Sequence, residues 1–571
     1  MRIALVTGAE ARRRCADAGF LAAWRALVAA ETKHALVQAP EFVLPWYGAY
    51  AEGCEPLLVE GRAADGELVA LLPLARRAQG TLVHAGAEQA EYHGWLTRAG
   101  RDGEFLVPAL EALRAGPGFA GWRWRWAPPG ADTRWTPELE ARGFTVVREE
   151  RPAPVWELAR GERLAGLLEN RSTRAKFNRY KKRGEFRLER VRDPGRTRAL
   201  FSVLARQCDF RQEVVHGVRP FASDPRKLEF FVARQAFPEA NHFSVLLCGD
   251  EPLAFHFGAC DGRTCLYGLT SYAPHEGKHS PGTLLLIELA RALAAEGFHE
   301  LDLTPGSDPY KQRFATGERD LVRLGFFAAP RAAWRARAGG GARRVLHGPL
   351  GTELGLRPER LQRLQRGLRE VRGELARRRL GGLARRAAGF LLERRTLTCF
   401  APPAGGLAPA SATVVRVQAW EELSALEAPG RYASRRVLLS EALERFSDGG
   451  VLYSLHGASG LARLAWRLPA PKGELAAELG RCGWLPAGGE LVRLPPPLDR
   501  HGQPALLLDL LARTLAECAA PAVVALEECD EREQALLLAQ GFRVLGRARL
   551  RRFLRAQPSW QLEDATDGVG A

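Results

Sequence analysis

Three times along this chain, two apolar runs fold back on each other across a short turn. Leu57-Leu58-Val59-Glu60 and Leu68-Val69-Ala70-Leu71-Leu72 flank Ala64-Asp65-Gly66, and residues 243–247 and 253–257 flank Gly249-Asp250. Residues 451–455 and 461–468 flank Gly457-Ala458-Ser459-Gly460 in the same way. Short apolar runs bounded by such turn residues read as β-hairpins. Behind each hairpin comes an apolar-periodic helix, at 105–114, 283–296 and 505–517, and then a strand, at 122–126, 300–303 and 523–526. The first and third copies continue into a further helix ending in Gly-Phe and another strand, at 138–147 and 536–545. Hairpins pair their strands antiparallel, whereas strand–helix–strand crossovers bring parallel ones. The expected class is therefore α/β (α+β), with mixed sheets flanked by helices. The recurring order points to duplicated units.

A length of 571 residues leaves room for three or four such units at roughly 150 residues each. With 46% hydrophobic and 26% charged residues, the composition is globular and excludes a disordered chain. No uncharged apolar run approaches the ~18 residues of a membrane span. Ile3-Ala4-Leu5-Val6, soon followed by Arg12-Arg13-Arg14, is too short for the apolar region of a signal peptide. Ten scattered cysteines without a C-x-x-C pair read as reduced thiols, which predicts a cytoplasmic protein. The net charge is +16, but residues 331–395 hold 18 Arg, no Lys and 5 Glu. Nearly all of the excess sits there, so the chain lacks the evenly basic surface of a protein that slides along nucleic acid.

Two motifs fail on context. Val6-Thr7-Gly8-Ala9 resembles the opening of a dinucleotide-binding turn, but no further glycine follows for the pyrophosphate to approach. His275-Glu276-Gly277-Lys278-His279 is a literal H-E-x-x-H, yet Pro274, Gly277 and Pro281-Gly282 deny it the helix that would put both imidazoles on one face. No metal is expected. Ser280-Pro281-Gly282-Thr283, by contrast, leads straight into a long apolar helix. Small residues there leave backbone N–H groups and a positive dipole end open to phosphate. An ordinary serine cap with proline in the first turn has the same sequence signature.

Several separated features then fall in a telling order: the strand 253–257, Leu266-Tyr267-Gly268, Tyr272, and Ser280-Pro281-Gly282 before the helix. Gly297, Leu301-Asp302-Leu303 and Tyr310-Lys311-Gln312-Arg313-Phe314 follow. Upstream lie Gln38-Ala39-Pro40-Glu41-Phe42 with Trp46, Leu71-Leu72-Pro73-Leu74, and the basic run 171–179. Over roughly 20–330 the chain resembles the FemAB/CelD-like members of the GNAT acyltransferase superfamily. The resemblance implies tandem GNAT-like folds, an N-terminal half at 1–155 and a donor-binding half at 156–330. It also implies acetyl-CoA or another acyl-CoA as co-substrate, with its pyrophosphate on Ser280, Pro281, Gly282 and Thr283. The reaction expected is acyl transfer to an amine or hydroxyl, most simply N-acetylation, of a small-molecule or glycan- or lipid-linked acceptor such as a cell-envelope or exopolysaccharide precursor.

Such chemistry needs a proton acceptor and donors for the oxyanion. Asp302 is the candidate to orient or deprotonate the acceptor, Tyr310 to protonate the leaving thiolate, and Lys311 to bind phosphate or developing negative charge. His256 and Tyr267 complete the candidate catalytic set. His256, alternating with Phe255 and Phe257, is expected to face solvent or a cleft. Arg174, Lys176, Arg179 and Tyr272 are candidate substrate-binding residues, because the run 171–183 carries seven Lys/Arg and no acid. Two other readings stand beside this one: FemAB-like aminoacyl transfer from aminoacyl-tRNA to a peptidoglycan precursor, and a non-catalytic binding protein on the same fold.

The remaining chain divides into an arginine-rich linker, 331–396, and a third GNAT-like unit, 397–571. In the third unit Arg500-His501-Gly502-Gln503-Pro504-Ala505 puts Gln503 where a glycine would let pyrophosphate approach, which sets cofactor binding there in doubt. In the linker Leu361, Leu364, Leu368, Val371 and Leu375 recur at helical spacing. That amphipathic helix has three readings: a packed spacer, a peripheral contact with anionic membrane through 357–395, or a nucleic-acid contact.

Overall fold

The computed structural model describes residues 1–31, 36–78, 80–98, 100–116, 119, 121–306, 309–328, 392–409, 414–426, 435–457, 460–498, 504–553 and 559–564. The arginine-rich helix expected from residue 357 and the 500–503 turn lie outside the described residues. The chain forms two compact units. Among the described residues one comprises 1–205, 220–271 and 281–328, and the other comprises 206–219, 272–280 and everything from Leu392 onwards.

In the first unit the strands are β1 (Arg2–Thr7), β2 (Cys54–Arg62), β3 (Leu68–Arg77), β4 (Leu82–His84), β5 (Leu96–Thr97), β6 (Gly121–Arg123) and β7 (Thr145–Glu157). They continue as β8 (Phe186–Arg190), β9 (Asn241–Cys248), β10 (Glu251–Ala259), β11 (Thr264–Leu266), β12 (Leu269–Tyr272), β13 (Glu300–Asp302) and β14 (Gly317–Phe327). Three sheets result, ordered β1-β2-β3-β4 with β5 on β3, β12-β10-β9-β8, and β11-β13-β7-β14-β6. Both expected hairpins form, β2 with β3 and β9 with β10, each antiparallel. The long ladder between β7 and β14 runs from Thr145↔Phe327 to Val155↔Gly317 and carries the chain across residue 155 without a break. Pro152 and Pro154 lie where β7 has only β14 beside it, which suits residues with no N–H to give a second neighbour.

The helix Pro281–Ala295 buries Leu284, Leu285, Leu286, Ile287, Leu289, Ala290 and Leu293 against β8, β9 and β10. Its apolar side is wider than a single stripe because neighbouring helices Glu162–Glu169 and Arg171–Lys181 also pack on it. After β10 the chain enters one sheet as β11, parallel to β13, and then returns to β10's sheet as β12. Tyr267 and Gly268 are the two residues that cross between the sheets. The crossing is tight: a Cβ on Gly258 would collide with the Leu266 carbonyl oxygen. A Cβ on Gly268 would lie 2.8 Å from the Phe257 oxygen and 2.9 Å from Glu91 Oε1.

In the second unit β15 (Leu392–Ala401), β16 (Val415–Val417), β17 (Val451–Gly457), β18 (Gly460–Leu468), β19 (Glu490–Leu494), β20 (Ala522–Glu527), β21 (Arg543–Phe553) and β22 (Ser559–Asp564) form one sheet. Its order is β16-β17-β18-β19-β20-β15-β21-β22. Only β19 and β20 are parallel, and the helix Pro504–Ala516 lies between them in the chain, as a crossover requires. Hairpin, helix and strand thus recur a third time. The core of this unit also takes in residues far upstream. Phe210 packs with Trp420, Leu438, Leu439, Phe446 and Trp466, and Arg435 grips Glu213 through three hydrogen bonds of 2.9–3.2 Å. Pro274–His279 forms a short 3-10 helix, so the H-E-x-x-H letters never share an α-helical face. No helix among the described residues is long and apolar enough to cross a membrane.

The crossing makes Gly258 irreplaceable. Gly258→Ala is expected to cost about 1–3 kcal/mol or more, because backbone rather than a flexible side chain must move. Gly166→Ala, in the helix Glu162–Glu169 with open space around it, should be neutral or mildly stabilising. Urea midpoints of the two variants against the parent check both.

Candidate functional site: the buried seam between two sheets

Four of the residues singled out from the sequence meet where the sheets cross. Tyr267 donates its backbone N–H to the Asp302 carbonyl at 2.7 Å, which extends the β11–β13 ladder by one residue. The Asp302 carboxylate accepts from the Thr304 N–H through Oδ1 and from the Tyr92 hydroxyl through Oδ2, both at 2.7 Å. Thr304 adopts φ +60°, a left-handed conformation that a β-branched residue holds only when its surroundings insist on it. Its hydroxyl donates to the Tyr267 carbonyl at 3.3 Å. Lys311, in the helix Pro309–Phe314, donates Nζ to Thr304 O at 3.2 Å and to Oγ1 at 3.3 Å. Asp302 is 3% exposed and Lys311 6%. A carboxylate and an ammonium are costly to bury, and here each is held by hydrogen bonds around one turn. Tyr310 precedes Lys311 on the same helix and is half-buried.

His256 is placed differently from the expectation. It faces neither solvent nor a cleft, because β10 is covered on both sides. Phe255 and Phe257 pack on Phe201, and Phe257 also on Phe231 and Phe243. On the other face the His256 ring stacks on Tyr267, with centroids 5.5 Å apart and planes 7° from parallel. Its Nε2–H donates to Leu266 O at 2.9 Å, and Nδ1 has no partner. Burial pushes the imidazole down to about 3, with His242 and Arg234 adding to the shift. A proton on Nδ1 would find no acceptor, so the ring is neutral at physiological pH. His256 supports the crossing and does not act there as an acid.

Three residues of the seam escaped the sequence reading. Tyr92 is buried against Asp302. Glu91, beside Gly268, has its carboxyl pushed up by burial against the pull of the Arg234 charge. Arg234 is itself buried, its guanidinium 4.7 Å from the Phe42 ring and 4.8 Å from Phe257, with Nε donating to Asn241 Oδ1 at 2.8 Å. Burial lowers Arg234 to about 10. The available signals were weak: a polar-aromatic run Glu91-Tyr92-His93 with no periodicity, and an arginine just after Phe230-Phe231-Val232-Ala233.

The remaining candidates lie elsewhere. Arg174 and Arg179 are exposed on the helix Arg171–Lys181 and Lys176 is half-buried, while Thr173, Phe177 and Tyr180 face inward and Asn170 caps the amino end. Tyr272 belongs to the second unit, with the Arg211 guanidinium 4.0 Å above its ring. Pro281, Gly282 and Thr283 open the long helix, as the sequence predicts. Ser280 has φ +58° and donates its N–H to Gly277 O at 3.1 Å, closing the 3-10 turn instead of taking the extended conformation usual for a helix cap. A surface hollow of about 490 Å³ is lined by Glu162, Arg163, Gly166, Leu167 and Asn170, and none of the seam residues borders it.

Residues 170–312 match the family described as an acetyltransferase (GNAT) domain. This stretch, which contains the helix Pro281–Ala295, Tyr267, Asp302 and Lys311, has a GNAT-type acyltransferase fold. Among solved structures, FemX is 11% identical, covering 55% of this chain and 98% of its own, with a TM-score of 0.38. The C-terminal domain (DUF2156) of a putative lysylphosphatidylglycerol synthetase from Agrobacterium fabrum is 12% identical over 57% of this chain and 96% of that one, at 0.33. A GCN5-related N-acetyltransferase from Sphaerobacter thermophilus is 16% identical over 57% and 96%, at 0.30. No curated protein matches the chain.

The buried histidine has a measurable signature. Between about 3 and the ordinary value near 6.5, the unfolded chain carries a proton at this position that the folded protein refuses. Stability contributed by the neutral ring is therefore complete above pH 6.5 and falls as pH drops, by up to ~1.4 kcal/mol per pH unit. His256→Gln should flatten the slope between pH 6.5 and 5, read from urea midpoints. His84, lowered to about 4 by burial, supplies part of what remains.

Proposed function

We propose that the protein transfers an acyl group from a CoA thioester to an amine or hydroxyl acceptor, most simply as an N-acetyltransferase. The observation that carries this reading is the coincidence of the matched acetyltransferase segment with a buried, hydrogen-bonded Asp302–Tyr92–Thr304–Lys311 cluster. In this reading the amino end of the helix Pro281–Ala295 receives the donor pyrophosphate, since the first N–H groups of a helix lack partners within it. Ser280 precedes that turn, and Gly282 leaves room for an anion.

The acceptor attacks the thioester carbonyl, loses a proton and creates an oxyanion before the CoA thiolate departs. Asp302 already accepts two hydrogen bonds, which suits it to orient the acceptor or Tyr92. Glu91, whose carboxyl is raised toward neutrality, suits proton abstraction better. Lys311 supplies the cation for the oxyanion or a phosphate, and Tyr310 the proton for the leaving thiolate. Arg174, Lys176 and Arg179 offer a basic face to an anionic acceptor such as an envelope or exopolysaccharide precursor. The same face would serve aminoacyl-tRNA in a FemAB-like reaction, and activity abolished by ribonuclease would select that reading. The third GNAT-like unit, the linker between the units and peripheral attachment to anionic membrane belong to this proposal as well.

Calorimetric titration with acetyl-CoA tests the donor. Gly282→Glu places bulk and negative charge at the helix end and should abolish binding in a folded protein; unchanged affinity overturns the assignment. Turnover tests the seam. Asp302→Asn and Lys311→Ala should each lower the rate ~10²–10⁴-fold. They should also cost roughly 1–3 kcal/mol, because both groups are buried and bonded. Wild-type rates in both variants, measured where they remain folded, would move the site elsewhere. Tyr92→Phe should lower both stability and rate by smaller amounts, since Asp302 keeps the Thr304 N–H.

A further inference from the structure

Cys260 ends β10's sheet and Cys265 is the middle residue of β11, and the two face each other across an antiparallel bridge. Asp261 donates its N–H to Thr264 O at 3.2 Å, one residue inside the pair. In an antiparallel ladder, paired residues alternate between hydrogen-bonded and non-hydrogen-bonded positions, so Cys260 and Cys265 occupy a non-hydrogen-bonded one. At such a position the Cα atoms approach to ~4.5 Å and the side chains project close together on one face. A disulfide needs Cα atoms about 4.4–6.8 Å apart. The register itself therefore presents two thiols for bonding. Gly262, at φ +81°, makes the two-residue turn that holds them opposite each other.

We infer that Cys260 and Cys265 are a modification site: a pair that a low-molecular-weight disulfide oxidises to an intramolecular bond across the β10–β11 turn. One protein thiol loses its proton and attacks the small disulfide, forming a mixed disulfide and releasing one small thiol. The second protein thiol then displaces the other. Two protein thiols are oxidised by two electrons, and one small disulfide is reduced to two thiols.

The surroundings make this bond slow to form and firm once made. Both cysteines are buried. Burial drives the Cys260 thiol up to about 12 and Cys265 well above its usual range, against the pull of the Arg190 and, at Cys260, Arg234 guanidinium charges. Few thiolates are available in the closed state, so the reaction waits on opening of the exposed tip at Asp261, Gly262 and Arg263. Once formed, the bond closes the residues that lead directly to the Leu266 carbonyl and to Tyr267. The inference is independent of the acyl-transfer reading, because it rests on strand register alone.

The test is an equilibrium one, so slow access does not blur it. The full chain is held in glutathione redox buffers, in native solution and in unfolding urea, and approached from both the reduced and the oxidised side. Thiols are trapped with N-ethylmaleimide, and the peptides holding Cys260 and Cys265 are weighed. The expected result is a 260–265 disulfide with an effective concentration in the folded protein at least ~100-fold above that in urea, which by linkage is about 2.7 kcal/mol of added stability. Exposed Cys482 should form only mixed disulfides with glutathione. Cys260→Ser should leave Cys265 reduced. An effective concentration in the folded protein no higher than in urea would overturn the proposal.

Discussion

The Leu266 carbonyl can press against β10 only because Gly258 has no side chain, and the rest of the first unit is arranged around that approach. It lets the chain serve β13's sheet as β11 and β10's sheet as β12 within a few residues. Every polar bond of the seam follows from where this places Tyr267: its N–H on Asp302, its carbonyl on Thr304, its ring on His256. A methyl group at 258 would separate the sheets by the thickness of that contact and withdraw all three together.

The seam is also where the protein tolerates buried charge. Asp302, Lys311, Arg234 and Glu91 are surrounded by aromatic and aliphatic side chains, and isolated ions there would be prohibitively expensive. Each has a specific answer. Asp302 takes two donors, Lys311 takes two oxygens of one residue, Arg234 bonds Asn241 and lies among phenylalanine faces, and Glu91 shifts toward its neutral form. A fold that wanted only stability would fill this space with leucine. Keeping strained Thr304 and titratable groups at the end of the long helix is the pattern expected where chemistry is done.

The second unit repeats the hairpin, helix and strand order around a single mixed sheet, yet its core is not built from one stretch of chain. Phe210, Glu213 and Tyr272 come from segments that precede the sheet by well over a hundred residues. Ion pairing of Glu213 with Arg435 and burial of Phe210 beside Trp420 make those segments part of the unit. A fragment cut at residue 397 would expose Trp420, Leu438 and Phe446 where Phe210 now lies.

Much of this was legible in the amino-acid order. Alternating apolar runs around Asp-Gly and Gly-Asp turns specify hairpins, and the wide apolar face of 283–296 specifies a buried helix, because local backbone geometry and side-chain periodicity act over a few residues. The convergence of Tyr267, Asp302 and Lys311 was legible too, through a motif order shared with acyltransferases. What the order could not disclose is what lies opposite each side chain. His256 alternates like an outward residue and is buried, since a second sheet covers the face that a lone hairpin would leave open. Tyr92 and Glu91 carry no periodic signal and acquire meaning only by meeting Asp302 and Gly268 across some two hundred residues of chain. Local sequence determines which elements form and which faces are apolar; burial, partnership and protonation depend on long-range packing, and only the tertiary structure decides them.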